Sequence, residues 1–462
     1  MSDSGDRLVR GIKWVIITLI CLPILVGVIA FVSWRSTLSR EVNGKLKAIK
    51  AAGLPTNGEE LNKWYAEGPE SANAALVMTQ AFALLRTFDD SRSNTIGGFK
   101  PPHRSEPLSA DDKQLVADFV KLNEPALARA HDALTLPQSR YPLDMRYGNN
   151  TLLPHLAKIR ELARLEDYRA LLAARGGHPA EAAAGAQNIL GCARTLDEEP
   201  LLISQLVRVA CLSIARGSLE RTLNATALDA VALQKLAAAF DSAHRTNRMA
   251  RALIGERAMY APVFRMSWSD IKQLVNLNPP DSPDTSAPPL PGKSPWFVRA
   301  SGFLERDLNF YLGAMETNID FALKAAPENL QITNLSPKIE QEAMRKKYIL
   351  SAMMLPALSR VTVREVESEA HLRLALTAIA IERYRLANKR LPATLEELAP
   401  KFLATVPLDP FTGRPLQYKL LPKGFVVYSL DREGRDDGGR EKPANRKSSD
   451  KSTYDLTFTV ER

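Results

Sequence analysis

The chain has 462 residues, 45% of them hydrophobic and 24% charged, and a formal net charge of +9. That balance excludes a chain disordered throughout, and the length exceeds what one ordinary core organises, so two or three packing units are expected. Lys and Arg are scattered among Asp and Glu with no aromatic-interleaved basic stripe, which argues against nucleic acid as a partner and assigns the excess charge to a surface near a membrane.

Residues 1–13 form an N-terminal tail carrying Arg7, Arg10 and Lys13. Residues 14–34 then read WVIITLICLPILVGVIAFVSW, 21 positions without a charge, bracketed by Trp14 and Trp34. At the helical rise this covers about 30 Å, the hydrocarbon thickness of a bilayer, and the two indoles suit its interfaces. A cleaved signal peptide has a shorter apolar core and a small-x-small site, whereas this run ends in FVSWRS. The expectation is a single-pass transmembrane helix that meets membrane lipid through residues 14–34, in a mature chain beginning at or next to Met1. Flanking charges leave the orientation open, because Arg35, Arg40, Lys45, Lys47 and Lys50 follow the span.

Residues 40–340 are expected to form an α-helical domain of antiparallel helices, rich in Ala, Leu and Arg. Segments such as HLAKIRELARLEDYRALLAARGG and LLISQLVRVACLSIARGSLERTL carry the helical period and end at Gly or Pro breaks. The junction GGHPAEA at 176–182 reads as a helical hairpin turn, with Gly ending one helix and Pro179 opening the next. It resembles a tetratricopeptide hairpin, but no second copy follows at a fixed period. Cys192 and Cys211 fall in helical patterns, either as a pair bridged across facing helices or as small apolar core residues. Residues 278–295 hold seven prolines and read as a linker or long surface loop. Helical pattern resumes with FVRASGFLERDLNFYLGAMETNIDFALKAA.

Residues 345–462 read as a separate α+β module. LALTAIAI at 374–381 is apolar on every side of a helix, so more than one face must be covered. Thr394 with Glu397 makes a capping-box pattern for a short helix, and Pro410 with Thr412-Gly413 marks a turn. PLQYKLL and FVVYSL flank Pro422-Lys423-Gly424 as a hairpin, and YDLTFTV at 454–460 alternates as a third strand. The fold class expected is therefore mainly α, with a long helix and a three-stranded antiparallel sheet at the C-terminal end.

A long helix ending AIERYRLANKRLP, a TLEEL turn, VPLDPFTGRPLQYK, GFVVYSL and DDGG together resemble the globular module of a type II secretion major pseudopilin, over about a quarter of the chain. The N-terminal span lacks the Gly-Phe cleavage pair and the glutamate five residues on, so a cleaved, polymerising pseudopilin is not expected. The resemblance implies an extracytoplasmic position for the bulk of the chain, at a bacterial inner membrane. It also implies calcium in the loop after YSL, with Glu433, Asp436, Asp437 and Asp455 as ligands, although Glu433 stands where an aspartate is usual and arginines crowd the loop. Calcium needs six to eight oxygens.

The six histidines, His103, His131, His155, His178, His244 and His371, show no metal-ligand spacing, and PGKS at 291–294 lacks the first glycine of a phosphate loop. GxSxG, GxGxxG and CxxC are absent, so no catalytic residue is nominated. Three functions are carried forward. The first is a non-enzymatic envelope protein with an interaction or scaffold role, and the second is an accessory of a type II secretion or pilus-like machine binding other envelope proteins. The third is an envelope hydrolase with an unfamiliar site.

Overall fold

A computed structural model describes residues 3–65, 67–244, 247–267, 269–271, 301–443 and 452–462. The Pro-rich segment at 278–295 and its PGKS string lie outside the described residues. The first helix, α1 (Asp3–Ala51), runs unbroken from the tail through the apolar span, about 74 Å at the helical rise. Its apolar stretch packs against nothing in the fold, with Trp14 69%, Leu19 67% and Ile24 61% exposed. Exposed Leu, Ile and Val over that length are the pattern of a bilayer-crossing helix.

The helical body follows as α2 (Gly58–Trp64), α3 (Ala74–Leu84), α4 (Arg92–Gly98), α5 (Ala110–Leu122) and α6 (Glu124–Leu134). Four longer helices build its centre: α7 (Pro154–Arg175), α8 (Pro179–Arg194), α9 (Leu202–Ala225) and α10 (Ala230–Ala243). The hairpin between α7 and α8 forms as its residues dictate. The Gly176 and His178 N–H groups donate to Leu172 and Ala173 carbonyls, and Gly177 adopts φ +77, a left-handed conformation that costs a glycine least. Gly185 then lets the two helices close, since a Cβ there would stand 2.7 Å from the Ala170 Cβ. α9 is apolar enough to cross a membrane by composition, but half of it is buried, packed against α7, α8, α11 (Arg248–Tyr260) and the long helix Ile349–Asn388, so it is a core helix.

α12 (Phe303–Ala322) lies against the end of α1 that emerges from the apolar span. Arg35 pairs with Glu305 at 2.7 Å, Lys45 donates to the Asn309 carbonyl at 3.2 Å, and Leu38 and Val42 are buried. The N-terminal apolar helix therefore continues as a packed element of the body. α13 (Ile332–Arg345) leads into α14 (Ile349–Asn388), 40 residues long.

α14 joins two cores. Its first turns pack with α11 and α12 around Leu308, Tyr311 and Met315. Its last turns carry LALTAIAI into the main core, where Leu374, Ala375, Ala378, Ile379 and Ile381 are all fully buried. The sheet is an antiparallel meander, β1 (Gln417–Leu421), β2 (Gly424–Ser429) and β3 (Leu456–Val460), with Leu421 opposite Gly424 and Phe425 opposite Val460. β2 and β3 cover one face of α14, and α9 and α10 cover the other. The hydrophobic core thus runs without a break from the helical body into the sheet.

One local expectation is corrected. Thr394 makes no side-chain cap, and Glu397 reaches past it to the Ala393 N–H at 2.7 Å, also binding Arg390 at 2.8 Å and the Tyr384 hydroxyl. A tyrosine and an arginine outside the short helix outcompete the box. Cys192 and Cys211 remain unbridged thiols, both buried, as small core residues.

Candidate functional site

The acidic loop is organised by backbone donors. Asp455 is 3% exposed and accepts from the Gly439 N–H at 2.8 Å and the Asp437 N–H at 3.5 Å. Burial raises its carboxyl above the usual carboxylate range, and the neighbouring Asp436 and Asp437 charges add to this. Asp436 accepts from the Gly438 N–H at 2.8 Å, Asp437 lies 3.5 Å from the Arg435 guanidinium, and Glu433 is exposed on the preceding turn. The fold brings Asp436, Asp437 and Asp455 into one loop but leaves Glu433 out. Among the described residues no group of three or more such side chains is arranged to hold a metal ion. Calcium needs six to eight oxygens converging on one point, and here backbone N–H groups engage Asp436 and Asp455 while Glu433 stands apart.

The histidines go to carboxylates far away in sequence. His131 meets Glu166 at 2.5 Å, His155 meets Glu199 at 3.0 Å and His244 meets Glu369 at 3.2 Å. Burial drives His371 down to about 3, assisted by Arg216, so it stays neutral. No spacing rule identifies pairs separated by tens of residues.

A groove of about 710 Å³ lies between α3, the 142–152 loop and the start of α7. Its walls are mostly apolar: Phe82, Tyr141, Leu143, Tyr147, Leu152 and Pro154. Tyr141 anchors the floor. Its ring stacks on His155 at 4.2 Å and on Phe82 at 6.3 Å, and its hydroxyl, buried and held well above its ordinary pKa by burial, donates to Thr195 at 3.1 Å. The backbone there is pinned from both sides. Tyr65 accepts from the Tyr141 N–H at 3.2 Å, and Asn73 both accepts from the Arg140 N–H at 2.8 Å and donates to its carbonyl at 2.9 Å.

The rim is built by a 3₁₀ segment (Met145–Asn150), kinked at Gly148 with φ +58, that Asp144 caps through the Arg146 N–H at 3.1 Å. Thr151 closes the loop by donating to the Gly148 carbonyl at 2.7 Å. This geometry leaves Tyr147 67% and Leu152 83% exposed at the groove mouth. Water solvates such side chains poorly, so a pre-formed apolar groove with exposed aromatic and aliphatic edges is suited to binding. His155, the one imidazole on its wall, is oriented by Glu199 at 3.0 Å. The sequence reading missed this groove: YPLDMRYGNNTLLP carries no period, and its only local signal is a cluster of turn residues around aromatics. No family model, no curated protein and no solved structure matches the chain.

Proposed function

We propose that the chain is a membrane-anchored, non-enzymatic binding protein of the bacterial envelope, whose helical body receives an apolar segment of a partner protein in the groove beneath Tyr147 and Leu152. The groove carries this reading. Its volume of about 710 Å³ and its aromatic floor suit bulky side chains. The anchor supports it as well. Because Arg35 pairs with Glu305 at 2.7 Å directly after the apolar span, the body is held close to the membrane surface, where envelope partners are presented. On this reading the body lies outside the cytoplasm of a bacterial inner membrane, and the C-terminal sheet braces α9 and α14 rather than polymerising.

A photo-crosslinking amino acid at position 152, in membranes, tests the proposal. One discrete adduct is expected, lost when Tyr147 is changed to Asp, with none from a crosslinker on α10 at Val231. Equal labelling from both positions would refute it. A periplasm-dependent reporter fused after Arg462 tests the side, and activity only from a cytoplasmic reporter would overturn the orientation.

A second reading, an accessory of a type II secretion or pilus-like machine, is favoured by the long helix under an antiparallel meander. β1 keeps an open edge with Leu420 50% exposed, where another strand has room to add. Co-purification with an assembly platform is its test, and its loss on changing Leu420 to Pro would tie it to that edge.

A further inference from the structure

A second cavity, about 270 Å³, lies on the opposite side of α9 from the hairpin, where the end of α10, the start of α11, the end of α12 and the middle of α14 meet. The charged groups facing it are nearly all paired. Arg208 on α9 meets Asp197 at 2.6 Å, and Arg248 on α11 meets Glu198 at 2.8 Å. His244 at the end of α10 binds Glu369 on α14 at 3.2 Å, and Arg373 binds the same carboxylate. Lys324 at the end of α12 meets Glu328 at 2.7 Å.

Two groups stand apart. Glu365 on α14 accepts from the Met249 N–H, but its second carboxylate oxygen, Oε2, is closed off from solvent with no hydrogen-bond partner, and so is the side-chain oxygen of Asn329, a residue only 4% exposed. Both residues line the cavity. Buried acceptors are ordinarily satisfied, so two of them facing one cavity imply a ligand that brings N–H or O–H donors. The remaining wall includes Val209, Leu212 and Leu372, which suit a short carbon skeleton.

We propose that this cavity binds a small primary-ammonium ligand, with the Glu365 carboxylate as counter-ion and the Asn329 amide oxygen as second acceptor. An ammonium is favoured over a hydroxyl because Glu365 is the carboxylate here without a paired cation. One NH₃⁺ group supplies three donors, enough for both acceptors. The site is independent of the groove and of any partner bound there.

The proposal carries a pH signature. Burial, opposed by the hydrogen bond from the Met249 N–H and by the Arg208 charge and reinforced by the Glu369 charge, lifts the Glu365 carboxyl to about 7. An ammonium binds the ionised form, so Glu365 gives up its proton on binding and affinity rises with pH through that value. Going from pH 6 to pH 8 changes the ionised fraction about tenfold, and the affinity follows.

The full chain in detergent, titrated with n-butylammonium and with 1-butanol as neutral isostere, gives the test by ligand-observed NMR. Saturable n-butylammonium binding is expected at pH 8, about tenfold weaker at pH 6, abolished by Glu365→Gln and weakened by Asn329→Ala, with melting temperatures confirming that both variants fold. Absent binding at pH 8, binding retained by Glu365→Gln, or equal binding of 1-butanol would each overturn it. Should Glu365→Gln fail to fold, the wild-type pH dependence and Asn329→Ala decide alone, and a pH-independent affinity refutes the assignment.

Discussion

Asp409 is the residue whose loss should cost the C-terminal module most. It sits in the turn VPLDPFTG, only 1% exposed, and its carboxylate accepts from three donors. These are the Phe411 N–H at 2.8 Å, the Ser429 hydroxyl at 3.0 Å and the Leu430 N–H at 2.9 Å. The carboxylate therefore clamps the turn before β1 to the last residues of β2. Asp409→Ala leaves all three donors without their acceptor in a buried site. Charge-assisted hydrogen bonds contribute about 1.5–3 kcal/mol each, and local relaxation recovers some of this, so a loss of about 3–6 kcal/mol is expected. Asp409→Asn keeps the shape and one acceptor oxygen but turns an NH₂ toward a donor, so about half that loss should follow. Far-UV circular dichroism of the detergent-solubilised chain during thermal unfolding measures both. Because the core runs from the sheet into the helical body, the whole body should soften, not the sheet alone. A Tm of Asp409→Ala within about 1 °C of wild type, a shift worth about 1 kcal/mol in a chain of this length, would refute the clamp.

Ile381, fully buried between the sheet and the helical body, should not accept a carboxylate. Ile381→Asp costs several kcal/mol, and protease resistance equal to wild type would contradict its placement. Burial raises the Glu256 carboxyl to about 7, although it accepts from the Leu202 N–H at 2.9 Å. The folded chain thus holds a proton that the unfolded chain releases near pH 4.5, so stability is full below that pH and falls as pH rises through about 7. Glu256→Gln should flatten that decline, and an unchanged pH profile of Tm would show that Glu256 is not its source. With the Asp455 oxygens occupied by Gly439 and Asp437 N–H groups, millimolar calcium should leave the Tm unchanged. A rise would mean that the loop reorganises around the ion.

Local chemistry was legible in the chain, and choice of partner was not. An uncharged apolar run between two tryptophans determines a long exposed helix by itself, as Gly177 and Pro179 determine a hairpin and the alternation of YDLTFTV a strand. Each rests on residues within one turn or one pleat of each other. LALTAIAI likewise announced that two of its faces had to be covered, without saying by what. The tertiary structure placed the sheet on one face and α9 with α10 on the other. It also let α9 close the open edge of β3: Glu220 accepts from the Thr459 N–H at 2.8 Å, and Asn224 donates to the Thr459 carbonyl at 2.8 Å. The groove under Tyr147, the histidine–glutamate pairs and the unpartnered Glu365 Oε2 have the same origin. A polar or aromatic side chain can satisfy itself with many partners of similar energy, and packing between elements distant in sequence selects among them.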